Sequence, residues 1–340
     1  MKRWAVPCAK LALAAGLIYW LVQRGGLSLA GLSEFSRGWP WLLLAQIPFA
    51  LILVIATVRW RLFLGVQGLH YGFLEIQSLV LLGIFFNQVL IGSIGGDVAK
   101  AYYISKGTAE RKAAAVLTVF IDRALGLFVL LVIACIGTVL NLEAVKENPI
   151  LLSLAVAVWS LVVGGLLAGC LFFSHRVRNH PLARSLLSKL PFKTALAKAS
   201  EILYLYKSQP AIVCKAVSLS FALHFLVILT NLLFIRALAP DQWASPLSLF
   251  LVVPLAQIVM AIPITPGGLG TGEFAYKELF QLFGVTKNGD LVSLLQRMTY
   301  CLWGIPGLLI YLSRRKSALI PEPEDSPETP PGQETGEGRV

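Results

Sequence analysis

The stretch "PITPGGLGTGEFAY", residues Pro263–Tyr276, decides how this chain is threaded. It follows the apolar run "LSLFLVVPLAQIVMAI", yet it holds two prolines, four glycines and the carboxylate of Glu273. Proline and glycine interrupt helices. Interrupted backbone at membrane depth leaves unpaired N–H and C=O groups, which persist only inside protein or beside a wet cavity. The stretch therefore predicts a cavity within whatever the flanking apolar runs build.

The composition places those runs in a lipid bilayer. Of the 340 residues, 56% are hydrophobic and only 14% are charged, with a mean hydropathy of +0.74. A soluble domain carries about 25% charged residues. Several apolar runs reach the ~20 residues that cross a ~30 Å hydrocarbon core as a helix. The sequence predicts an all-α, polytopic integral membrane protein.

Several function classes find no support in the motifs. The five cysteines are scattered singly, without a CxxC pair. The sequence contains no Walker loop, GxSxG elbow or HExxH pair. We therefore predict no cofactor, no metal site, no catalytic residue and no nucleic-acid partner.

Six apolar runs predict full spans, and two further runs contain helix breakers. The first span resembles a signal peptide, but its flanking aromatic residues are typical of an uncleaved span with interfacial anchors. The predicted spans are Trp4–Val22, Trp39–Val58, Ala113–Leu140, Ile150–Phe173, Ala211–Leu238 and Leu291–Leu312, and the broken runs are Ile76–Gly96 and Leu247–Phe283.

The two broken runs are predicted to be re-entrant hairpins. Cytoplasmic loops carry an excess of Lys and Arg, and threading both runs as hairpins puts most basic residues and both termini inside. One hairpin then enters from the cytoplasm around "NQVLIGSIGGDVAK", and the other enters from outside around "PITPGGLGTGEF". Full crossing of both runs is the alternative.

The two breaks also resemble each other. Aligning Asp97 with Glu273 sets "GDVA" against "GEFA", each after a glycine-rich turn and before an apolar helix. Opposed hairpins of this kind belong to inverted repeats, a common design in secondary transporters. Chance similarity between two glycine-rich turns is the other explanation.

The remaining segments lie outside the spans. Within a membrane domain of residues 1–316, residues 174–210 carry seven Lys or Arg residues and one Glu. This segment is read either as an amphipathic helix on the anionic inner leaflet or as a loop that is basic only because it stays inside. Residues 317–340 are acidic and proline-rich, which predicts a disordered tail.

Six ionisable residues near the breaks or within spans are candidates for a site. Charges at membrane depth are costly and usually face an interior path. Asp122 and Arg123 are consecutive, so they point about 100° apart on a helix and each needs a partner elsewhere. The cations suit an anionic headgroup such as a phosphate, whereas buried salt bridges that set helix register are the structural alternative. The six are Asp97, Lys100, Asp122, Arg123, Glu273 and Arg297.

Four motifs in order carry a family resemblance: "NQVLIGSIGGDVAKAYYISK", "VFIDRALGL", "IPITPGGLGTGEF", and Arg297 followed by "GIPGLLIYL". Together they resemble the membrane region of the lysylphosphatidylglycerol synthase/flippase family. The sequence departs from that pattern by lacking a proline shortly after Asn87 and by having Lys100 where an arginine is expected. The site residues that the resemblance implies are Asn87, Gly95, Gly96, Asp97, Lys100, Asp122, Arg123, Pro266, Gly267, Gly268, Glu273 and Arg297.

The resemblance implies a lipid translocase or flippase-like protein of the bacterial inner membrane, with an anionic membrane lipid as its substrate. Bifunctional members carry a soluble aminoacyltransferase domain after the membrane region. Here a short tail follows the last predicted span, so we expect no enzyme activity from this chain. The alternatives are a non-transporting partner of a lipid synthase or glycosyltransferase, and a headgroup transferase that uses Asp97 or Glu273 as its general base.

Overall fold

The fold is given by a computed structural model, which describes residues 29–89, 94–108, 111–173, 201–240, 245–262, 270–286 and 288–313, with side chains from residue 38 onward. This part of the chain is helical and contains no strand, which confirms the all-α prediction. The first predicted span, most of the basic loop and the acidic tail lie outside it.

Ten helices are named here in chain order. Their bounds are α1 Leu29–Val66, α2 Phe73–Val89, α3 Gly95–Lys106, α4 Lys112–Leu140, α5 Leu142–Glu147, α6 Pro149–Phe173, α7 Pro210–Leu238, α8 Pro246–Ala261, α9 Thr271–Leu282 and α10 Gly289–Ser313.

Four helices are long and apolar enough to cross a bilayer, and they match four of the predicted spans. They are Gly38–Val66, Lys112–Leu140, Pro149–Leu171 and Pro210–Leu238. Helix α10, the last predicted span, has 25 residues, or roughly 37 Å at about 1.5 Å per residue. It has the length to cross, but the polar side chains on one of its faces lower its hydropathy. The protein is therefore a polytopic integral membrane protein.

Helices α2 and α3 form the first predicted hairpin. They have 17 and 12 residues, and the shorter covers roughly 18 Å of a bilayer core about 30 Å thick. The two helices run antiparallel, since the Asn87 side chain contacts the Gly96 amide and the Lys100 side chain lies beside Gly83. The two helices therefore form an antiparallel pair, which is the arrangement that a re-entrant hairpin requires.

Helices α8 and α9 form the second hairpin in the same way. They have 16 and 12 residues. The Met260 side chain lies beside Gly272. One turn further from the break on each helix, Gln257 Nε2 donates a hydrogen bond to the Tyr276 hydroxyl. This pairing makes the two helices antiparallel, as re-entry requires.

The number of candidate spans between the hairpins favours their entry from opposite faces of the bilayer. Among the described residues, three helices with the length and hydropathy of full spans lie between them, namely α4, α6 and α7. An odd number of crossings carries the chain from one face to the other. This count agrees with opposed hairpins, and their entry sides stay a prediction.

The first half of the chain contains the α2–α3 hairpin and the long helix α4, and the second half contains the α8–α9 hairpin and the long helix α10. The long helix of each half packs against the hairpin of the other half. Helix α4 packs along α8, where Gly137 lies against the backbone of Phe250. Helix α10 packs along α2, where Gly307 lies against the backbone of Leu81. At both crossings a Cβ would collide with a backbone carbonyl oxygen, so glycine permits the close approach. This matched exchange supports the predicted inverted repeat.

Helix α1 differs from its predicted bounds, and the difference affects one charge. The predicted span ends at Val58, but the helix continues to Val66. Arg59 therefore lies within the helix and is only 6% exposed. The predicted end of this span at Val58 was too early, because a window of apolar residues ends at any arginine, including one with a buried partner.

The described end of the basic loop packs on protein. Residues 201–207 are helical, and the apolar side chains of Ile202 and Tyr206 are buried against Phe63 of α1. The Tyr206 hydroxyl donates to the Phe63 carbonyl oxygen at 2.9 Å, and burial raises the pKa of Tyr206 to about 12. The apolar side of this short stretch thus faces the helix bundle, while a membrane-surface role for the rest of the loop stays a prediction.

Candidate functional site

The first cluster of charges lies where α3 begins. Asp97 is the third residue of that helix, and its Oδ1 lies 2.7 Å from the Nζ of Lys100. Its Oδ2 lies 3.6 Å from the Nε of Arg123 on α4. One carboxylate thus faces two cations, which leaves an excess of one positive charge. The Arg123 side chain is 46% exposed, against 8% for Asp97, so its guanidinium is the open part of the cluster.

The turn before Asp97 is held by a contact between the two arms of the hairpin. The Gly96 N–H donates to Asn87 Oδ1 at 2.6 Å. A Cβ on Gly96 would collide with the carbonyl oxygen of Gly83, so the arms can approach this closely only at glycine. The Lys100 ammonium lies 5.5 Å from the centre of the Trp60 ring, within range of a cation–π interaction.

The second cluster lies where α9 begins and is more tightly closed. Glu273 is the third residue of that helix, and its Oε2 accepts a hydrogen bond from the Gly270 N–H at 2.7 Å. Its Oε1 accepts from Arg297 Nη2 at 2.7 Å and from Arg297 Nε at 3.2 Å. The carboxylate therefore caps its own helix and neutralises one arginine.

The two clusters occupy matching places in the two halves. In each, the acid is the third residue of the returning helix of a hairpin, and it pairs with an arginine on the next long helix. Asp97 pairs with Arg123, and Glu273 pairs with Arg297. The similarity of "GDVA" and "GEFA" thus has a counterpart in three dimensions.

Asp122 and Arg123 have separate partners, as predicted from their consecutive positions. The Asp122 carboxylate accepts from Arg59 Nε at 2.7 Å and from Arg59 Nη2 at 3.1 Å. Arg59 Nη1 also donates to Ser220 Oγ of α7 at 2.8 Å. This ion pair ties α1, α4 and α7 together, and substrate binding by Asp122 stays a prediction.

The remaining predicted residues divide into two groups. Gly95, the first residue of α3, is buried at the break beside Gly96. Pro266, Gly267 and Gly268 lie outside the described residues.

Sequence reasoning did not predict a group of uncharged polar residues that lies beside the second cluster. The buried Tyr276 hydroxyl of α9 donates to Gln296 Oε1 of α10 at 2.7 Å and accepts from Gln257 Nε2 of α8 at 3.3 Å. The signal available in the sequence was the three- to four-residue spacing of polar residues along α10, at Ser293, Gln296, Arg297 and Tyr300.

These features define a polytopic membrane protein with two antiparallel helical hairpins and an acid–arginine pair at each. The sequence model of the lysylphosphatidylglycerol synthase transmembrane region matches residues 8–299. The chain belongs to this family, and the resemblance drawn from its motifs is confirmed.

Relatives with curated sequences carry only general names. A UPF0104 membrane protein of Methanothermobacter thermautotrophicus is 23% identical over 290 residues, covering 79% of this chain and 83% of that protein. One from Methanocaldococcus jannaschii is 36% identical over 86 residues, covering 25% of this chain and 26% of that protein. One from Pyrococcus horikoshii is 26% identical over 127 residues, which is 37% of each chain. No solved structure matches the sequence.

Proposed function

We propose that this protein is a flippase-like lipid translocase, which moves an anionic lipid across the membrane through a polar cavity between its hairpins. The lipid class is a phospholipid or a polyprenyl-phosphate-linked lipid. The observation that carries the proposal is the opposed pair of hairpins, each with an acid paired to an arginine of the following long helix. Charges in a membrane interior mark substrate paths more often than they serve packing alone.

The charge balance favours an anionic headgroup at the first cluster. Asp97 faces Lys100 and Arg123 together, so a phosphate arriving there would meet uncompensated positive charge. Arg123 has the longer contact and the more exposed side chain. A guanidinium presents a planar fork that takes two phosphate oxygens at once. Arg123 is therefore the residue that holds the headgroup.

The opposed entry of the hairpins favours translocation. A headgroup bound at one hairpin has to reach the other leaflet, and the second hairpin offers a matching acid–arginine pair on the route from the opposite face. We place the protein in the bacterial inner membrane with both termini in the cytoplasm, following the distribution of basic residues.

The test is leaflet exchange of fluorescent phospholipids in vesicles that contain the purified protein. Arg123→Ala and Glu273→Gln are expected to slow the exchange of anionic lipid at least tenfold. Lys112→Ala and Glu278→Gln change exposed residues of the same two helices and serve as matched controls with rates like the parent.

Equal rates in Arg123→Ala, Glu273→Gln and parent vesicles would reject the proposed roles. If the parent exchanges no lipid, whether anionic, zwitterionic or polyprenyl-phosphate-linked, the translocase proposal fails. The alternative function is then that of a non-transporting partner of a separate lipid-modifying enzyme.

A further inference from the structure

Arg59 and Asp122 form a closed ion pair inside the helix bundle. Both carboxylate oxygens of Asp122 accept from Arg59, at 2.7 Å from Nε and 3.1 Å from Nη2. Arg59 Nη1 donates to Ser220 Oγ at 2.8 Å, and the Ser220 hydroxyl donates to the Ala216 carbonyl oxygen. The two charged side chains are only 7% and 12% exposed. Each nitrogen of the guanidinium and each carboxylate oxygen therefore has a partner within the protein.

The surrounding packing fixes this pair in place. The terminal nitrogens of Arg59 lie 3.4 and 3.5 Å from the position that a Cβ on Gly126 would take, so glycine leaves room for the guanidinium beside α4. Nε2 of His224 on α7 lies 3.0 Å from the Gly126 carbonyl oxygen. Arg59 is thus enclosed between α4 and α7, and it holds the Asp122 carboxylate on that side of α4.

The neighbour of Asp122 is the most open cation of the first cluster. The Arg123 side chain is 46% exposed, and its Nε lies 3.6 Å from Asp97 Oδ2. Consecutive residues point about 100° apart on a helix, so Asp122 is turned away from Arg123 but stays close to it. A bare carboxylate about 8 Å from a bound phosphate would weaken binding roughly thirtyfold at an effective dielectric constant of about 20. Pairing with Arg59 cancels that negative charge.

The second half of the chain reaches the same charge balance by other means. There the residue before Arg297 is Gln296, an uncharged residue that is 4% exposed and accepts from the Tyr276 hydroxyl. In both halves the position before the arginine therefore contributes no net charge. The second half uses an amide, and the first half uses a carboxylate with its own buried cation.

We propose that Arg59 is a positioning residue that sets the preference of the first cluster for anionic headgroups. It neutralises Asp122 and holds it away from Arg123, so that the Arg123 guanidinium keeps its positive charge for a lipid phosphate. Asp122 then acts through Arg59 and does not contact the lipid itself. The inference rests on the proposed function, because it names what determines headgroup selectivity at that site.

The test measures which lipid lies beside Arg123 and needs no transport. Phe120, one turn before Arg123 and 52% exposed, is replaced by the photoreactive residue p-benzoylphenylalanine in the full-length protein. The vesicles contain equal parts of phosphatidylglycerol and phosphatidylcholine. Illumination attaches the neighbouring lipid covalently, and mass spectrometry gives the ratio of anionic to zwitterionic lipid captured. The same probe at Leu152 of α6, which is 46% exposed, reports the ratio at an unrelated surface.

We expect the parent protein to capture phosphatidylglycerol in excess at position 120 but not at position 152. Arg59→Gln leaves the Asp122 charge uncancelled and should lower the ratio at position 120 by about fivefold or more. Arg59→Lys keeps the cation and should stay within about twofold of the parent.

A double variant separates charge from helix packing. Arg59→Gln combined with Asp122→Asn removes both charges and the ion pair together, so the ratio should return to that of the parent. Asp122→Asn alone leaves the Arg59 charge in place and should give a ratio at least as high. If Arg59→Gln does not fold, the comparison of Asp122→Asn with the double variant decides, because the uncancelled Arg59 charge should give the higher ratio.

An unchanged ratio in Arg59→Gln, or a double variant no better than Arg59→Gln, would overturn the inference. A ratio below the parent in Asp122→Asn would overturn it too, since Asp122 would then bind the lipid directly. Lipid exchange is measured separately. Selective capture that depends on Arg59 without any exchange would reject the translocase proposal alone, and exchange with the same capture ratio in Arg59→Gln would reject this inference alone.

Discussion

The two hairpins have the same design but hold their charges differently. At the first, Asp97 is shared between Lys100 at 2.7 Å and a half-exposed Arg123 at 3.6 Å. At the second, Glu273 is matched to one arginine through two contacts and also caps its own helix. The first cluster is open and positively charged, whereas the second is closed and neutral. Equivalent positions in the two halves therefore differ in how much cationic charge is left uncompensated.

The largest expected difference between the hairpins is in the loss of their arginines. Arg297→Ala leaves the partly buried Glu273 carboxylate without its cation, and breaking a buried pair costs about 3 kcal/mol or more. Arg123→Ala removes the longer of two cation contacts from a carboxylate that keeps Lys100 at 2.7 Å, so it is expected to cost less than the loss of Arg297. Unfolding by denaturant in detergent, followed by tryptophan fluorescence, measures both.

Similar losses of stability in the two arginine variants would contradict the view that the second cluster is closed and the first open. Arg236→Ala, at the end of α7, controls for the general effect of removing a basic residue.

A smaller effect is expected from adding one methyl group at each break. Gly96→Ala drives a Cβ into the Gly83 carbonyl oxygen, and the overpacked hairpin should lose about 2 kcal/mol. Gly272→Ala meets only the flexible Met260 side chain at 3.2 Å, so it should lose less than about 1 kcal/mol. Thermal unfolding of the two variants side by side measures the difference, and a larger loss for Gly272→Ala would mean that the first hairpin is the more loosely packed one.

The smallest effect is expected where the two breaks satisfy a backbone amide differently. Asn87→Ala removes the acceptor that reaches the Gly96 N–H from the opposite arm, which is expected to cost about 1 kcal/mol. Glu273→Gln keeps an amide oxygen for the Gly270 N–H, so that amide should stay protected. Hydrogen exchange of the peptides that contain Gly96 and Gly270 measures both. The control is Ser105→Ala, which removes a hydroxyl that bonds the Tyr102 carbonyl oxygen within α3. Unchanged exchange at Gly96 in Asn87→Ala would show that the arms are held by packing alone.

The sequence predicted the hairpins and their acids because both depend on local chemistry. Glycine and proline interrupt helices wherever they occur, and Asp97 and Glu273 follow the breaks directly. The partners of Asp122 and Tyr276 could not be predicted in this way. Arg59 is 63 positions from Asp122 and ended an apolar run, while the contact between Tyr276 and Gln296 depends on how two helices are rotated against each other. Such pairings are set by packing between helices, which a single sequence does not record.

The exchange of supporting helices between the halves also has a consequence for biosynthesis. Leu81 of the first hairpin packs against Gly307, which the ribosome adds roughly 200 residues later. At about 5–20 residues per second, the short arms of that hairpin wait on the order of ten seconds or more before α10 emerges. During that interval they need a temporary neighbour, such as the insertion machinery, to shield the glycine-rich turn from lipid.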